Sequence, residues 1–246
     1  MRRKGEMVLH FDAARVKGLL FDLDGTLVDS LPDLHYAVCG VLSDWGLPAM
    51  SMEEVGRYVG KGVIHLAEMV LKARKPEADE ATRDRFVKGY VDALAASGSK
   101  RTRAIPGVAE ALSLFSGAGL PLAVVTNKAG VLVDAVLQDT GLSGYFSREL
   151  CFSADDVEHP KPAPDMLFLA ARRMGIDPAD CLMFGDSRND AEAASRAGMP
   201  VMLLETGYNE GDPIADWGRK NNFRDIFPSM DLAARALLSE RNQLIP

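Results

Sequence analysis

The apolar residues of this chain recur in short continuous runs separated by stretches with helical spacing. The runs lie at 18–21, 120–125, 150–152, 181–184 and 201–204, and the helical patterns between and after them cover 130–140, 165–174, 190–197 and about 230–240. Continuous apolar strands that alternate with helices are typical of parallel strands buried on both faces. The pattern therefore predicts an α/β fold with a Rossmann-like, doubly wound parallel sheet.

A block of different character interrupts this alternation after the first run. Between residues 31 and 101 the apolar residues recur at helical spacing, and no stretch resembles a strand. Ser51 and Glu54 fit the start of a helix, with Ser51 as the cap and Glu54 three residues later. We therefore predict a core made of residues 1–30 and 102–246, with a small α-helical domain of residues 31–101 inserted in it.

Composition and charge exclude several kinds of partner. The 246 residues carry 28 basic and 35 acidic side chains, a net charge of −7, so no basic excess is present to bind nucleic acid. No apolar run is long enough to span a membrane. The three cysteines form no C-x-x-C pair, which suits a reducing compartment. These features predict a cytoplasmic protein without nucleic-acid or membrane partners.

Two acidic residues follow the first apolar run. Asp22 and Asp24 are two positions apart, so an extended chain directs both side chains to the same side. Like charges at this spacing repel, and the pair requires a cation, a shared proton or open water. An exposed acidic turn is one interpretation of such a stretch. A calcium loop is excluded, because its sixth position would be Leu27 instead of glycine.

Polar residues also follow other runs, and the carboxyl ends of parallel strands meet at one edge of a sheet. Thr126 and Asn127 follow the second run, Asp186 follows the fourth, and Lys161 precedes a helix at the same edge. Clustered carboxylates suit Mg²⁺ beside a phosphate. A lysine with hydroxyl and amide donors suits a transferring anionic group. The set predicts phosphoryl transfer with Mg²⁺ as the cofactor.

Four segments that carry these residues resemble, in order, the motifs of the haloacid dehalogenase-like hydrolases. They are Asp22-Leu23-Asp24-Gly25-Thr26, Thr126-Asn127-Lys128, Lys161-Pro162 and Gly185-Asp186-Ser187-Arg188-Asn189-Asp190. The resemblance covers most of residues 16–211. It implies that the helical block at 31–101 is the family's cap, which closes over the site and favours small substrates.

The resemblance implies roles for three acids. Asp22 would be the nucleophile and a metal ligand. Asp24 would be the general acid and base, with its backbone carbonyl on the metal, and Asp186 would complete the metal ligands from the protein. Dehalogenase relatives lack the second carboxylate, and ion-pumping relatives have threonine there. Asp24 therefore favours phosphate ester hydrolysis or a sugar phosphomutase.

Further roles follow from the same resemblance. Thr126 and the backbone of Asn127 would bind the phosphoryl group, and Lys161 would offset charge between nucleophile and phosphate. Asp190, supported by Ser187, would orient either Lys161 or a metal-bound water.

Within the family the chain is most similar to phosphoglycolate phosphatases, through residues 25–33, 59–62 and 206–211. The segment 56–62 is not a nucleotide phosphate loop, because it is one residue short and has glycine where a hydroxyl should bind Mg²⁺. It is either a plain turn between helices or a loop in which Gly60 and Lys61 contact the far end of the substrate. Lys128 either borders the phosphate or is solvated at a helix start.

We therefore expect a Mg²⁺-dependent phosphomonoester hydrolase that acts through an aspartyl phosphate on a small phosphorylated metabolite, as a monomer or homodimer. The favoured substrate is 2-phosphoglycolate. A sugar-phosphate phosphatase or a β-phosphoglucomutase-like enzyme is the alternative. A non-catalytic regulator on the same scaffold is a further alternative, against which the presence of Asp22, Asp24 and Lys161 argues.

Overall fold

A computed structural model describes residues 9–243, and a six-stranded parallel sheet lies at its centre. The strands of the described residues are β1 (Gly18–Phe21), β2 (Val28–Asp29), β3 (Arg103–Ala104), β4 (Leu122–Val125), β5 (Cys151–Phe152), β6 (Cys181–Gly185), β7 (Val201–Leu204) and β8 (Ile226–Phe227). The order in the large sheet is β5-β4-β1-β6-β7-β8, while β2 and β3 pair as a separate antiparallel ribbon.

Ten α-helices surround or extend from this sheet in the described part of the chain. They are α1 (Leu31–Asp44), α2 (Met52–Gly56), α3 (Val63–Arg74), α4 (Glu80–Ser97), α5 (Val108–Gly117), α6 (Gly130–Asp139), α7 (Asp165–Met174), α8 (Arg188–Ala197), α9 (Ile214–Lys220) and α10 (Met230–Gln243). Within residues 9–243, every helix is too short or too polar to cross a lipid bilayer.

Helices cover both faces of the sheet, which confirms the predicted doubly wound α/β fold. In β1, Leu19 and Phe21 pack with α5, α6 and α10, whereas Leu20 between them packs with α7 and α8. The chain first adds β4 and β5 on one side of β1 and then crosses to add β6, β7 and β8 on the other. The strand order therefore reverses beside β1, where a ligand of such a sheet binds.

Aromatic rings fill the core beneath the end of β1. Phe21 stacks on Phe184 of β6, with ring centroids 5.0 Å apart, and both rings contact Phe115 of α5. Phe21 and Phe184 are direct neighbours in register, so their side chains leave the sheet on the same face. This packing fixes the ends of β1 and β6, from which the acidic residues continue.

Helices α1 to α4 enclose a hydrophobic cluster of their own. Leu42, Val55, Val70 and Phe86 are buried in it, one from each helix. The predicted helix start is confirmed, because Ser51 and Glu54 form a reciprocal capping box at α2. All of residues 31–101 are described and contain no strand, as expected. The domain boundaries stay a prediction, and residues 1–8 of the predicted core lie outside the described residues.

The two connections to these helices are tied together. Asp33, buried at the start of α1, accepts hydrogen bonds from the backbone N–H groups of Arg101 at 2.9 Å and Thr102 at 2.7 Å. The hydroxyl of Thr102 donates to the same carboxylate at 2.7 Å. The ribbon of β2 and β3 adds the pairing of Val28 with Ala104. The outgoing and returning chains are thus held side by side.

Some elements differ from the sequence expectations. The ribbon of β2 and β3 was not predicted, and neither were α9 and β8, where a loop was expected after β7. Strands of two residues are too short to show a period. Helix α9 lacks a side-chain cap, because its N-cap residue is Pro213. Helix α8 begins two residues before the predicted start at 190, because Ser187 and Asp190 form a capping box there.

We predict that Phe115→Ala lowers the free energy of unfolding by about 3–5 kcal/mol, because it removes a buried ring from the aromatic core. Phe168→Ala is the matched control, since Phe168 is also helical but 42% exposed; its cost should stay below about 1 kcal/mol. Urea unfolding measures both. Equal losses in the two variants would contradict this description of the core.

Candidate active site

Three neighbouring strands end in the residues that the sequence singles out. Asp22 directly follows β1, Thr126 directly follows β4, and Asp186 directly follows β6. Since β1 pairs in parallel with both β4 and β6, the three side chains leave the same edge of the sheet. All three are buried. The structure thus brings together residues that are up to 164 positions apart.

Lys161 joins this group as a buried cation. Its ammonium lies 2.9 Å from a carboxylate oxygen of Asp22 and 2.6 Å from one of Asp190. The other oxygen of Asp190 accepts hydrogen bonds from the backbone and the hydroxyl of Ser187. Burial alone would lower the pKa of Lys161, but the two carboxylates raise it above its ordinary value. The ammonium therefore stays charged and fixed in position.

The three buried acids form a cluster that fits a divalent cation. One carboxylate oxygen from each of Asp22, Asp186 and Asp190 lies within 4.8 Å of the other two. Burial raises the pKa of Asp22 to about 7, although Lys161 acts in the opposite direction, and burial also raises the pKa of Asp186. One lysine does not balance three carboxylates. A hard cation with two charges would, and oxygen donors suit it.

Glycines make room for the carboxylate of Asp186. A Cβ atom on Gly207 would lie 1.7 Å from its Oδ2 atom, and one on Gly25 would lie 2.5 Å from the same atom. Thr26 donates a hydrogen bond to the other oxygen at 2.8 Å, and the backbone N–H of Tyr208 donates to Oδ2 at 3.0 Å. Two segments, residues 25–26 and 207–208, therefore fix the position of this acid.

The side chain of Asp24 turns away from the acidic cluster. Its carboxylate accepts a hydrogen bond from the hydroxyl of Ser30 at 2.6 Å and lies 3.1 Å from the ammonium of Lys128. Gly25, with φ of 90°, permits the turn that follows. The structure places Lys128 against Asp24, a pair that no sequence pattern indicates, because its members are 104 residues apart.

The side chain of Asn127 holds three segments together. Its Nδ2 atom donates to the carbonyl of Lys161 at 2.7 Å and to that of Gly60 at 3.0 Å, and its Oδ1 atom accepts from the N–H of Lys161 at 3.0 Å. From the sequence, only the backbone of Asn127 was expected to take part in the site. This amide connects the end of β4 both to the lysine loop and to the helical block.

The predicted contact of Lys61 with substrate stays a prediction. The structure places its ammonium 3.0 Å from Glu210, in the loop after β7, so that it links the helical block to the core. Gly60, by contrast, lines a pocket over the acidic residues. In the same loop after β7, the hydroxyl of Tyr208 accepts hydrogen bonds from the N–H groups of Ser30 and Leu31.

This pocket lies between the strand ends and helices α1, α3 and α4. Asp22, Asp24 and Thr126 line it from the core, and Leu34, Leu66 and other apolar residues line it from the helices. The space open to the centres of water molecules measures about 50 Å³. Since one water occupies about 10–15 Å³ on this measure, the pocket holds only a small molecule.

Comparison with known proteins places the chain in a family. The model of the haloacid dehalogenase-like hydrolases matches residues 16–198. The chain belongs to the haloacid dehalogenase-like hydrolases. The predicted family and the prediction of a hydrolytic enzyme are thereby confirmed. A phosphoglycolate phosphatase from Thiobacillus denitrificans is 37% identical over 82% of this chain and 88% of its own length.

Solved structures of this hydrolase family share the fold. A predicted phosphoglycolate phosphatase from Haemophilus somnus superposes with a TM-score of 0.81 at 31% identity, covering 88% of this chain and 96% of the other. A putative β-phosphoglucomutase from Bacteroides vulgatus gives a TM-score of 0.71 at 25% identity, covering 93% of this chain and 91% of the other. The relatives thus include both enzyme types considered from the sequence.

We predict that Gly207→Ala weakens Mg²⁺ binding by about 10–100-fold, because the new methyl group must displace the Asp186 carboxylate. Calorimetric titration with Mg²⁺ measures the change. Gly40→Ala is the matched control, since a methyl group there meets no atom within 4 Å and should leave metal affinity unchanged. Wild-type Mg²⁺ affinity in Gly207→Ala would remove Asp186 from the metal site.

Proposed function

We propose that the chain is a Mg²⁺-dependent phosphomonoester hydrolase that acts through an aspartyl phosphate on Asp22. The observation that carries the proposal is the contact of the Lys161 ammonium with Asp22, at 2.9 Å, inside a cluster of buried acids. A carboxylate held beside a fixed cation can receive a phosphate dianion that it would otherwise repel. Thr126, buried at the end of the neighbouring strand, adds a hydroxyl on the same side.

In the first step, a carboxylate oxygen of Asp22 attacks phosphorus and the ester P–O bond breaks. Asp24 gives its proton to the departing alkoxide oxygen, which leaves as an alcohol. Lys161 balances the charge of the phosphoryl group, while Thr126 and the backbone N–H of Asn127 bind its oxygens. The products of this step are the free alcohol and a phosphorylated Asp22.

In the second step, Asp24 takes a proton from a water molecule whose oxygen attacks phosphorus. The bond between phosphorus and Asp22 breaks, and inorganic phosphate leaves. Asp24 thus regains the proton it gave away, and Asp22 regains its carboxylate. The contacts of Asp24 with Ser30 and Lys128 support this role, because they hold the carboxylate beside the pocket.

Asp22, Asp186 and the backbone carbonyl of Asp24 would hold Mg²⁺. The ion would supply the positive charge that shields the phosphate oxygens from the attacking carboxylate. Asp190 would keep Lys161 in place, a role that the 2.6 Å contact between them supports. Ser187, which donates two hydrogen bonds to Asp190, would in turn orient that acid.

Residues 31–101 would act as the cap over this site, and 2-phosphoglycolate is the substrate we favour. The pocket supports a small substrate, and the identity to a phosphoglycolate phosphatase over 82% of the chain supports this ester. A sugar-phosphate phosphatase or phosphomutase is the second candidate, favoured by the likeness to the putative β-phosphoglucomutase. We further propose a cytoplasmic monomer or homodimer, a setting that suits the three free cysteines.

Asp22→Asn should lower kcat by at least about a thousandfold, because the amide is a poor nucleophile, while the fold persists. Phosphate release measures turnover, and urea unfolding measures stability. Asp44→Asn, at an exposed position in α1, is the control for loss of one acidic charge and should keep wild-type kcat. Normal turnover by Asp22→Asn would overturn the assignment of the nucleophile.

A substrate panel tests the proposed activity. We expect a higher kcat/KM for 2-phosphoglycolate than for glucose 6-phosphate, complete loss of phosphate release with a chelator, and recovery with excess Mg²⁺. A better kcat/KM on the hexose phosphate would reject phosphoglycolate as the substrate. Conversion of β-glucose 1-phosphate to glucose 6-phosphate without phosphate release would identify a mutase.

A further inference from the structure

The pocket over the acids contains one positively charged side chain among the described residues that line it. This is Lys128, whose side chain is 6% exposed. Lys61 does not line this pocket, and its ammonium contacts Glu210 instead. Lys161 does not line the pocket either, and its ammonium contacts Asp22 and Asp190. A second anionic group on a substrate would therefore meet Lys128 first.

Lys128 retains hydrogen-bonding capacity for a ligand. An ammonium has three N–H donors, and in this structure the Asp24 carboxylate receives hydrogen bonds from it at 3.1 and 3.2 Å. The third donor remains for an acceptor in the pocket. Suppose that the bridging P–O–C oxygen of a phosphate ester lies beside Asp24. A carboxylate attached to the carbon next to that oxygen would then lie next to the Lys128 ammonium.

Tyr90 of α4 offers a second donor from the opposite wall. The residue is 4% exposed and lines the pocket, and no hydrogen bond joins its hydroxyl to another described residue. Burial and the nearby charge of Asp24 raise the pKa of Tyr90, so the hydroxyl keeps its proton. The hydroxyl can therefore donate a hydrogen bond to a ligand bound in the pocket.

The other large side chains on the helical side of the pocket are apolar. They include Leu34, Val59, Leu66 and Leu94, which line the pocket there. A carboxylate accepts hydrogen bonds and donates none, so an ammonium and a hydroxyl suit it, and the apolar surroundings strengthen both bonds. A neutral polar group would gain less from Lys128, because charge-assisted hydrogen bonds are the stronger ones.

We propose that Lys128 and Tyr90 together bind a carboxylate at the far end of the phosphomonoester substrate and so select acidic substrates over neutral ones. Lys61 takes no part in this selection. The inference rests on the proposed function, in that it places the phosphate group at Asp22. It adds the two residues that distinguish a phosphorylated hydroxy acid from other small esters.

A pair of non-hydrolysable ligands tests the inference without requiring turnover. In 3-phosphonopropionate a methylene group replaces the ester oxygen of phosphoglycolate, and propylphosphonate has a methyl group in place of the carboxylate. We expect the wild type, with Mg²⁺, to bind 3-phosphonopropionate at least about tenfold more tightly in calorimetry. Tyr90→Phe and Lys128→Met should each reduce this preference about tenfold or more.

Lys72→Met, at an exposed position of α3, is the control for loss of one positive charge and should keep the wild-type preference, while Lys61→Met tests the competing assignment of the carboxylate to Lys61. Comparing two ligands in each variant cancels any general effect of Lys128 on Asp24. An unchanged preference in Tyr90→Phe and Lys128→Met, or a loss confined to Lys61→Met, would overturn the inference. If the preference depends on Lys128 and Tyr90 but the wild type releases no phosphate from 2-phosphoglycolate, the proposed substrate fails while the carboxylate site stands.

Discussion

The ion pairs of Lys161 within a group of buried acids are the interaction on which the site depends. Removing charged groups from water is costly, and the cost is recovered only where partners are close and well oriented. Lys161 meets this condition with Asp22 and Asp190, at 2.9 and 2.6 Å. Asp186 lies in the same cluster without a lysine of its own. The remaining negative charge is the physical basis of the proposed metal site.

The surrounding chain keeps these charges from relaxing apart. Asn127 holds the backbone of Lys161 with two hydrogen bonds, and Ser187 holds Asp190 with two more. Because Gly25 and Gly207 have no side chains, the Asp186 carboxylate fits against their backbones. In the core beneath these residues, the stacked rings of Phe21 and Phe184 fix the ends of β1 and β6. Preorganisation of this kind lets charges act on a reacting group without rearranging during the reaction.

The sequence allowed the fold and the convergence of the acids to be predicted, because both follow from local patterns. Apolar runs indicate buried parallel strands, and the carboxyl ends of such strands meet, so Asp22, Thr126 and Asp186 were expected at one edge. The side-chain contacts of Asn127 and Tyr90 were not predicted. The hydrogen-bond partners of Asn127 and the pocket around Tyr90 come from segments that are distant in the sequence. The spacing of apolar residues along the chain does not indicate such contacts. The two-residue strands of the ribbon were missed for a related reason, since their pairing is tertiary.

The overall charge of −7 gives the protein no general attraction for an anionic substrate, so recognition must be local. Each lysine near the site already has an acidic partner: Lys161 has Asp22, Lys128 has Asp24, and Lys61 has Glu210. The lysines are therefore held in place before any substrate binds, and a ligand need not order them. The three pairs are exposed to different degrees, with the Lys161 side chain the most buried and the Lys61 side chain the most exposed, so negative charge at different positions of a ligand can be recognised separately. A small phosphate ester with a second acidic group, the substrate class proposed above, would match the inner two pairs, so this acidic protein would need only local positive charge to bind it.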